Sequence, residues 1–176
     1  ILGLKLSDGS VIKSRNVIIA LGHSSRESFN MLEKVGVNLE AKLFSIGFRI
    51  EHPQSIIDKA RWGVMSGHPK LGHAEYKLVH HASNGRCVYS FCMCPGGLVV
   101  SSTSEECCVV TNGMSQHSRN ERNANSALVV NLKREDLTEY ERWPGDPLAG
   151  INFQRKWEQK AYEIGGTAGK APAQLL

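Results

Sequence analysis

YKLVHHASNGRCVYSFCMC, residues 76–94, decides the fold class. At its centre Asn84-Gly85 supplies two residues that accept the left-handed backbone of a tight hairpin turn. Tyr76–His81 and Arg86–Cys94 flank it with β-branched and aromatic residues, so the stretch reads as an antiparallel hairpin. Toward the C-terminus, Leu98–Ser101 and Val109–Thr111 flank a polar connection and read as a second hairpin. Ala127–Leu132 reads as a further strand, and Pro144-Gly145-Asp146-Pro147 as a loop. Ile151, Phe153, Trp157, Ala161 and Ile164 put an apolar face on a helix over 149–164, stopped by Gly165-Gly166. Toward the N-terminus, 43–50 reads as a strand ended by Pro53. Ile56, Ile57 and Ala60 give a short helix reaching Trp62-Gly63. The result is an α+β module, mainly antiparallel and β-rich, with flanking helices.

The first 36 residues read differently. Leu2, Leu4 and Leu6 alternate, Asp8-Gly9 supplies a turn, and Val11 begins a return strand. Val17-Ile18-Ile19-Ala20-Leu21 is a continuous apolar run ending at Gly22, the pattern of a strand covered on both faces in a parallel sheet. Phe29, Leu32 and Val35 then recur at helical spacing up to Gly36. This is a piece of an α/β domain, and the whole chain is expected to be α/β in class. The chain opens at Ile1 inside a strand-like pattern, which reads as the interior of a longer sequence.

Composition excludes several classes. With 176 residues, 41% hydrophobic and 22% charged, the chain has the profile of a globular protein. A chain of this size buries roughly 70% of its unfolded surface. No apolar run approaches the roughly 20 residues that span a bilayer, so no membrane is expected. The net charge of +4 is spread along the chain without a basic block, which speaks against a nucleic-acid partner. Five cysteines, an odd number with Cys107 and Cys108 adjacent, do not make a disulfide framework, so an intracellular, reducing compartment is expected.

Five constellations carry candidate chemistry, each beside a plainer reading. Ala20-Leu21-Gly22-His23-Ser24 empties a strand into a helix start, where free backbone N–H groups favour an anion or a polar cofactor atom. The plainer reading is an ordinary capped turn. Gly22-His23-Ser24 also begins a nucleophile elbow, G-x-S-x-G, but Arg26 stands where the second glycine gives room. Arg49 and Glu51 share one strand face and could pair, or could fix a substrate carboxylate and a base; His52 beside them is a candidate for moving a proton. Cys92-Met93-Cys94-Pro95-Gly96-Gly97 offers two thiols and a glycine pair able to lie against a flat ligand. No ligand spacing for a metal accompanies it, and none is expected. Thr111-Asn112-Gly113-Met114-Ser115, with Arg119, Arg122, Asn123, Asn125 and Ser126, is a polar cluster whose amides could read a polar ligand. Gly165–Lys170 imitates a phosphate loop but has three residues, not four, between Gly165 and Gly169, and reads as a helix stop.

Taken together these segments resemble an uncharacterised FAD-dependent dehydrogenase group, whose C-terminal part is known as the FAD-dependent protein C-terminal domain. The matching stretches are 17–24, 47–54, 89–97, 111–115, 123–127, 147–150 with Phe153-Gln154, and 171–174. The resemblance implies a flavoprotein fold with a dinucleotide-binding domain. Residues 1–27 would be the tail of that domain and 28–176 the substrate-side domain. In such proteins an Ala-Thr-Gly-like strand end lies near the flavin; Ala20-Leu21-Gly22 occupies that place, with Leu21 for the more usual Thr. The G-x-G-x-x-G fingerprint is expected before Ile1 and a closing Gly-rich segment after Leu176. The wording of several segments is closer to a plant version, for which a plastid is one location the resemblance allows.

The implied function is an FAD-dependent oxidoreductase acting on a small-molecule substrate, with NAD(P)H as the candidate electron donor. Ala20, Leu21, Gly22, His23, Ser24, Pro95, Gly96 and Gly97 are the candidate cofactor contacts. Arg49, His52, Cys92 and Cys94 are the candidate catalytic groups. The alternatives are a non-catalytic FAD-binding protein and a serine hydrolase with Ser24 as nucleophile.

Overall fold

The computed structural model describes residues 2–167 and 169–176; Ile1 and Ala168, the latter within the Gly165–Lys170 stretch, lie outside them. The chain divides into two compact units, Ile1–Asn38 and Leu39–Leu176.

In the first unit β1 (Gly3–Lys5) and β2 (Val11–Lys13) pair antiparallel. The turn between them is tied by Asp8, whose Oδ1 accepts the Ser10 N–H at 2.8 Å and the Ser10 hydroxyl at 2.6 Å. Helix α1 (Arg26–Lys34) buries Leu32 and is followed by Gly36 at φ +80°. The expected buried strand at Val17–Leu21 is not a strand. Ile18 is 92% exposed, and no strand among the described residues pairs with this run. An apolar segment becomes a strand only where a neighbour completes its ladder. No parallel strand pair and no dinucleotide-binding domain occur among the described residues.

The second unit is built on a four-stranded antiparallel sheet in the order β3-β8-β5-β4, from β3 (Ser45–Pro53), β8 (Asn123–Asn131), β5 (Cys87–Cys94) and β4 (Val79–His81). Strands β6 (Gly97–Ser102) and β7 (Val110–Ser115) pair as a separate antiparallel ribbon. Helix α2 (Gln54–Trp62) follows β3 directly, and α3 (Ala149–Gly165) follows the loop after a 3-10 helix at Arg134–Tyr140. The Asn84-Gly85 hairpin forms as its sequence demands, with Gly85 at φ +76°, although β4 begins at Val79 rather than Tyr76.

Strand β8 begins at Asn123, four residues before the expected Ala127. Asn123, Asn125 and Ser126 have turn character in sequence. Here their backbones pair with β3, and the side chains of Asn123 and Ser126 find acceptors across the sheet, on Glu51 and on the Phe91 carbonyl, while Asn125 accepts from Arg49. Cross-strand partners remove the usual cost of buried polar groups in a strand.

The core joins the end of β8 to α3. Leu132, Leu137, Ala149 and Phe153 are buried, with Phe44, Ile46 and Tyr140 packed against them. Phe153 meets Phe44 and Tyr140 edge-on, at ring-centroid distances of 6.0 and 5.0 Å. Burying a phenylalanine of this kind stabilises by about 2–3 kcal/mol. Ahead of α3 the buried Asp146 takes a fork of bonds from Arg142, and accepts the Leu148 N–H at 2.9 Å. Gly166, left-handed at φ +82°, ends the helix where the sequence stops it.

Candidate functional site

Arg49 on β3 stands opposite Ala127 of β8, which puts Asn125 on its diagonal. The guanidinium is half-buried, and its Nη1 donates to three acceptors. These are the Asn125 side-chain oxygen, the Cys92 carbonyl at 3.5 Å and Cys94 Sγ at 4.0 Å. None of the three is a carboxylate. Glu51, the expected alternative partner, instead accepts from Asn123 Nδ2 at 2.6 Å.

Two backbone features make room for this cluster. In β5 the register shifts between Phe91 and Cys94, and Cys92 takes φ +48°. A left-handed non-glycine residue costs about 1 kcal/mol and clusters at sites that need a re-aimed group. Here the carbonyl of Cys92 serves both Arg49 and Cys94 Sγ. Strand β7 then passes over the cluster at Gly113, where a Cβ would collide with Arg49 Nη1 and Asn125 Oδ1. Glycine is what lets the ribbon approach.

His52 lies three residues further along β3 and donates or accepts at Nε2 with the Tyr76 hydroxyl, 2.9 Å apart. Its Nδ1 is buried without a hydrogen-bond partner, as is Asn125 Nδ2. Burial pushes the Tyr76 hydroxyl above its ordinary pKa, against the Ser126 side chain and the charge of Arg49, which pull it down. Gln54, the first residue of α2, is buried. Its Nε2 donates to Asp58 and to the Ala74 carbonyl, and its Oε1 accepts the Gly96 N–H at 2.9 Å. Burial raises the Asp58 carboxyl, but the Ala74 N–H, His73 and Gln54 outweigh it and hold the group below the usual carboxylate value.

Of the expected residues, Arg49, Cys92 and Cys94 are in one cluster, and His52 joins it through Tyr76. Pro95, Gly96 and Gly97 are buried. The space a Cβ would take at Gly96 holds the Arg119 carbonyl, and at Gly97 the Met114 carbonyl. Ala20, Leu21, Gly22, His23 and Ser24 belong to the first unit and are exposed. Gly22, at φ +74°, has no atom within 4 Å of its would-be Cβ. A hollow of about 180 Å³ beside it is lined mainly by apolar groups, among them Ile19, Leu21, Phe29 and Leu32. Ser24 Oγ lies 3.4 Å from Nε2 of its chain neighbour His23, while the buried Arg26 fills the elbow's second glycine position.

Asn125 is central to the cluster, yet the sequence marked it only as one amide in a polar stretch. Tyr76 was legible only as a strand residue. Elsewhere, Glu105, Cys108 and Glu158 bring their ligand atoms within 4.8 Å of one another, with the Glu105 carboxylate held by Arg155 at 2.6 Å. No helix among the described residues is long and apolar enough to cross a membrane.

A family model described as "FAD-dependent protein, C-terminal domain-like" matches residues 43–176. A protein of Clostridium beijerinckii, described as an uncharacterized protein, is 46% identical over 170 residues, covering 96% of this chain and 31% of that protein. The chain therefore spans about a third of the length of this relative.

Proposed function

We propose, from the premise that this chain belongs to the FAD-dependent protein, C-terminal domain-like family, that it is the substrate-side part of an FAD-dependent oxidoreductase. The observation that carries the reading is the charge of Arg49. It is half-buried, held by neutral acceptors, and has no carboxylate partner among the described residues. A desolvated cation of this kind is suited to an anionic group on a substrate. His52, coupled to Tyr76, is the candidate for moving a proton; Cys92 and Cys94 are the alternatives.

The residues of the first unit fit contact with a flat cofactor. The open side of Gly22 and the apolar hollow beside it admit close approach to Ala20, Leu21, Gly22, His23 and Ser24. Pro95, Gly96 and Gly97 fit less well, because the chain's own carbonyls fill the glycine faces. FAD, when bound, supplies the hydride or electron transfer, and the protein supplies orientation and charge.

The test is the absorbance spectrum of the full-length protein as purified, before and after anaerobic NADH or NADPH. Bands near roughly 375 and 450 nm are expected for an oxidised flavin. Bleaching by a nicotinamide identifies the donor class, and bands without bleaching indicate another donor or a non-catalytic role. A colourless protein that FAD cannot reconstitute overturns the reading, and esterase activity lost in Ser24→Ala would replace it with a hydrolase.

A further inference from the structure

Arg49 uses only one of its nitrogens inside the protein. Every hydrogen bond it makes among the described residues comes from Nη1. Nε and Nη2 take no partner, and neither is among the buried unpartnered atoms of this half-buried residue. The Nη1 corner of the guanidinium is therefore pinned, while its Nε–Nη2 edge is left unbonded and not sealed from solvent. That edge presents two parallel N–H donors in one plane, the geometry that receives both oxygens of a carboxylate.

We propose that this edge of Arg49 is the receptor for a planar carboxylate of the substrate, and that Asn125 is the residue that aims it and leaves its charge uncompensated. The inference rests on the flavoprotein reading for the word substrate, but the binding site stands on its own residues. Asn125 is a neutral amide where an aspartate could stand. It is 0% exposed, and its Oδ1 is the closest acceptor on Arg49. An aspartate would fit the same space and make a stronger bond, but it would neutralise the guanidinium. The sequence instead holds the cation with a neutral oxygen and leaves Asn125 Nδ2 buried without a partner. The positive charge is thereby kept for a ligand. The other neighbours are neutral as well: a carbonyl, a thiol sulfur and the glycine backbone of β7.

The charge count selects the ligand class. One guanidinium, with no second Lys or Arg bonded into the cluster among the described residues, balances one negative charge. A carboxylate brings one, whereas a phosphate near neutral pH brings close to two and would leave an excess at a half-buried site. Asn125 is a positioning residue in this scheme, because it acts through Arg49 and does not touch the ligand.

Binding of benzoate to the full-length protein, measured by titration calorimetry beside benzamide and inorganic phosphate, tests the proposal. Benzoate is expected to bind, with benzamide and phosphate each weaker by about tenfold or more. In Asn125→Asp benzoate binding is expected to fall by about tenfold or more, while the melting temperature stays at or above that of the original protein. A merely structural role for Asn125 would move binding and melting together. Should Asn125→Asp fail to fold, Arg49→Lys serves instead: it keeps the charge and loses the two-donor edge, and benzoate is again expected to weaken. Phosphate or benzamide binding as tightly as benzoate overturns the proposal, as does unchanged benzoate affinity in either folded variant. The flavin spectrum of the same sample separates this outcome from the other reading. Flavin bands without benzoate binding sink only the carboxylate receptor, and benzoate binding without flavin sinks only the oxidoreductase.

Discussion

Gly96 and Gly113 are both closely approached, and a methyl group at each meets a different kind of obstacle. At Gly113 the colliding atoms are the ends of Arg49 and Asn125, side chains that can shift. Gly113→Ala is expected to cost only about 1 kcal/mol in denaturant unfolding, yet to dislodge Arg49 and weaken benzoate binding. At Gly96 the obstacle is the backbone carbonyl of Arg119, and the residue sits at φ +45°. Gly96→Ala is expected to cost roughly 2–4 kcal/mol by the same measurement, since neither backbone can give way cheaply. Arg49 and Cys94 were legible as candidates because charge and thiol chemistry is written in the residue itself. The part played by Asn125 was not legible. Its partner lies 76 positions away in the chain, and only the sheet register sets them on one diagonal.

Elements followed their local signals wherever those signals were turns and caps. The Asn84-Gly85 hairpin, the stop at Gly165-Gly166 and the Pro53 boundary all stand where the residues put them. Val17–Leu21 and the start of β8 did not, because strand formation is decided by neighbours that local composition does not name. The entry to α3 shows an element held by charge. Asp146 has a fully buried side chain, and the bonds from Arg142 lower its pKa to about 2 from an ordinary 3.8. A lowered carboxyl pKa stabilises the fold above the unfolded value, and the contribution disappears as pH falls through the folded one. About 2 kcal/mol should thus be lost as pH falls from 4 toward 2, seen as a falling urea midpoint. Asp146→Asn should be less stable at pH 7 and lose less over that range. The Arg86–Asp136 pair, also with its carboxyl at about 2, shifts in the same direction.

At the scale of the molecule the two units invite separate measurement. A protein of residues 39–176 is expected to unfold in one cooperative calorimetric transition, because the sheet, the ribbon and the core all lie within it. Ile18→Lys in the present chain is expected to change stability by less than about 0.5 kcal/mol, since the side chain is already 92% exposed. A large loss in the full-length protein would show that the run is covered there. The order β3-β8-β5-β4 has a further consequence, for synthesis. β3 is made first among these strands, but its one sheet neighbour among the described residues is β8, the last of the four to be made. At ~5–20 residues per second, a nascent β3 waits on the order of 10 s for the ribosome to deliver its partner. Until then the strand that carries Arg49 emerges unpaired, and the Asn84-Gly85 hairpin is the first piece of the sheet able to form.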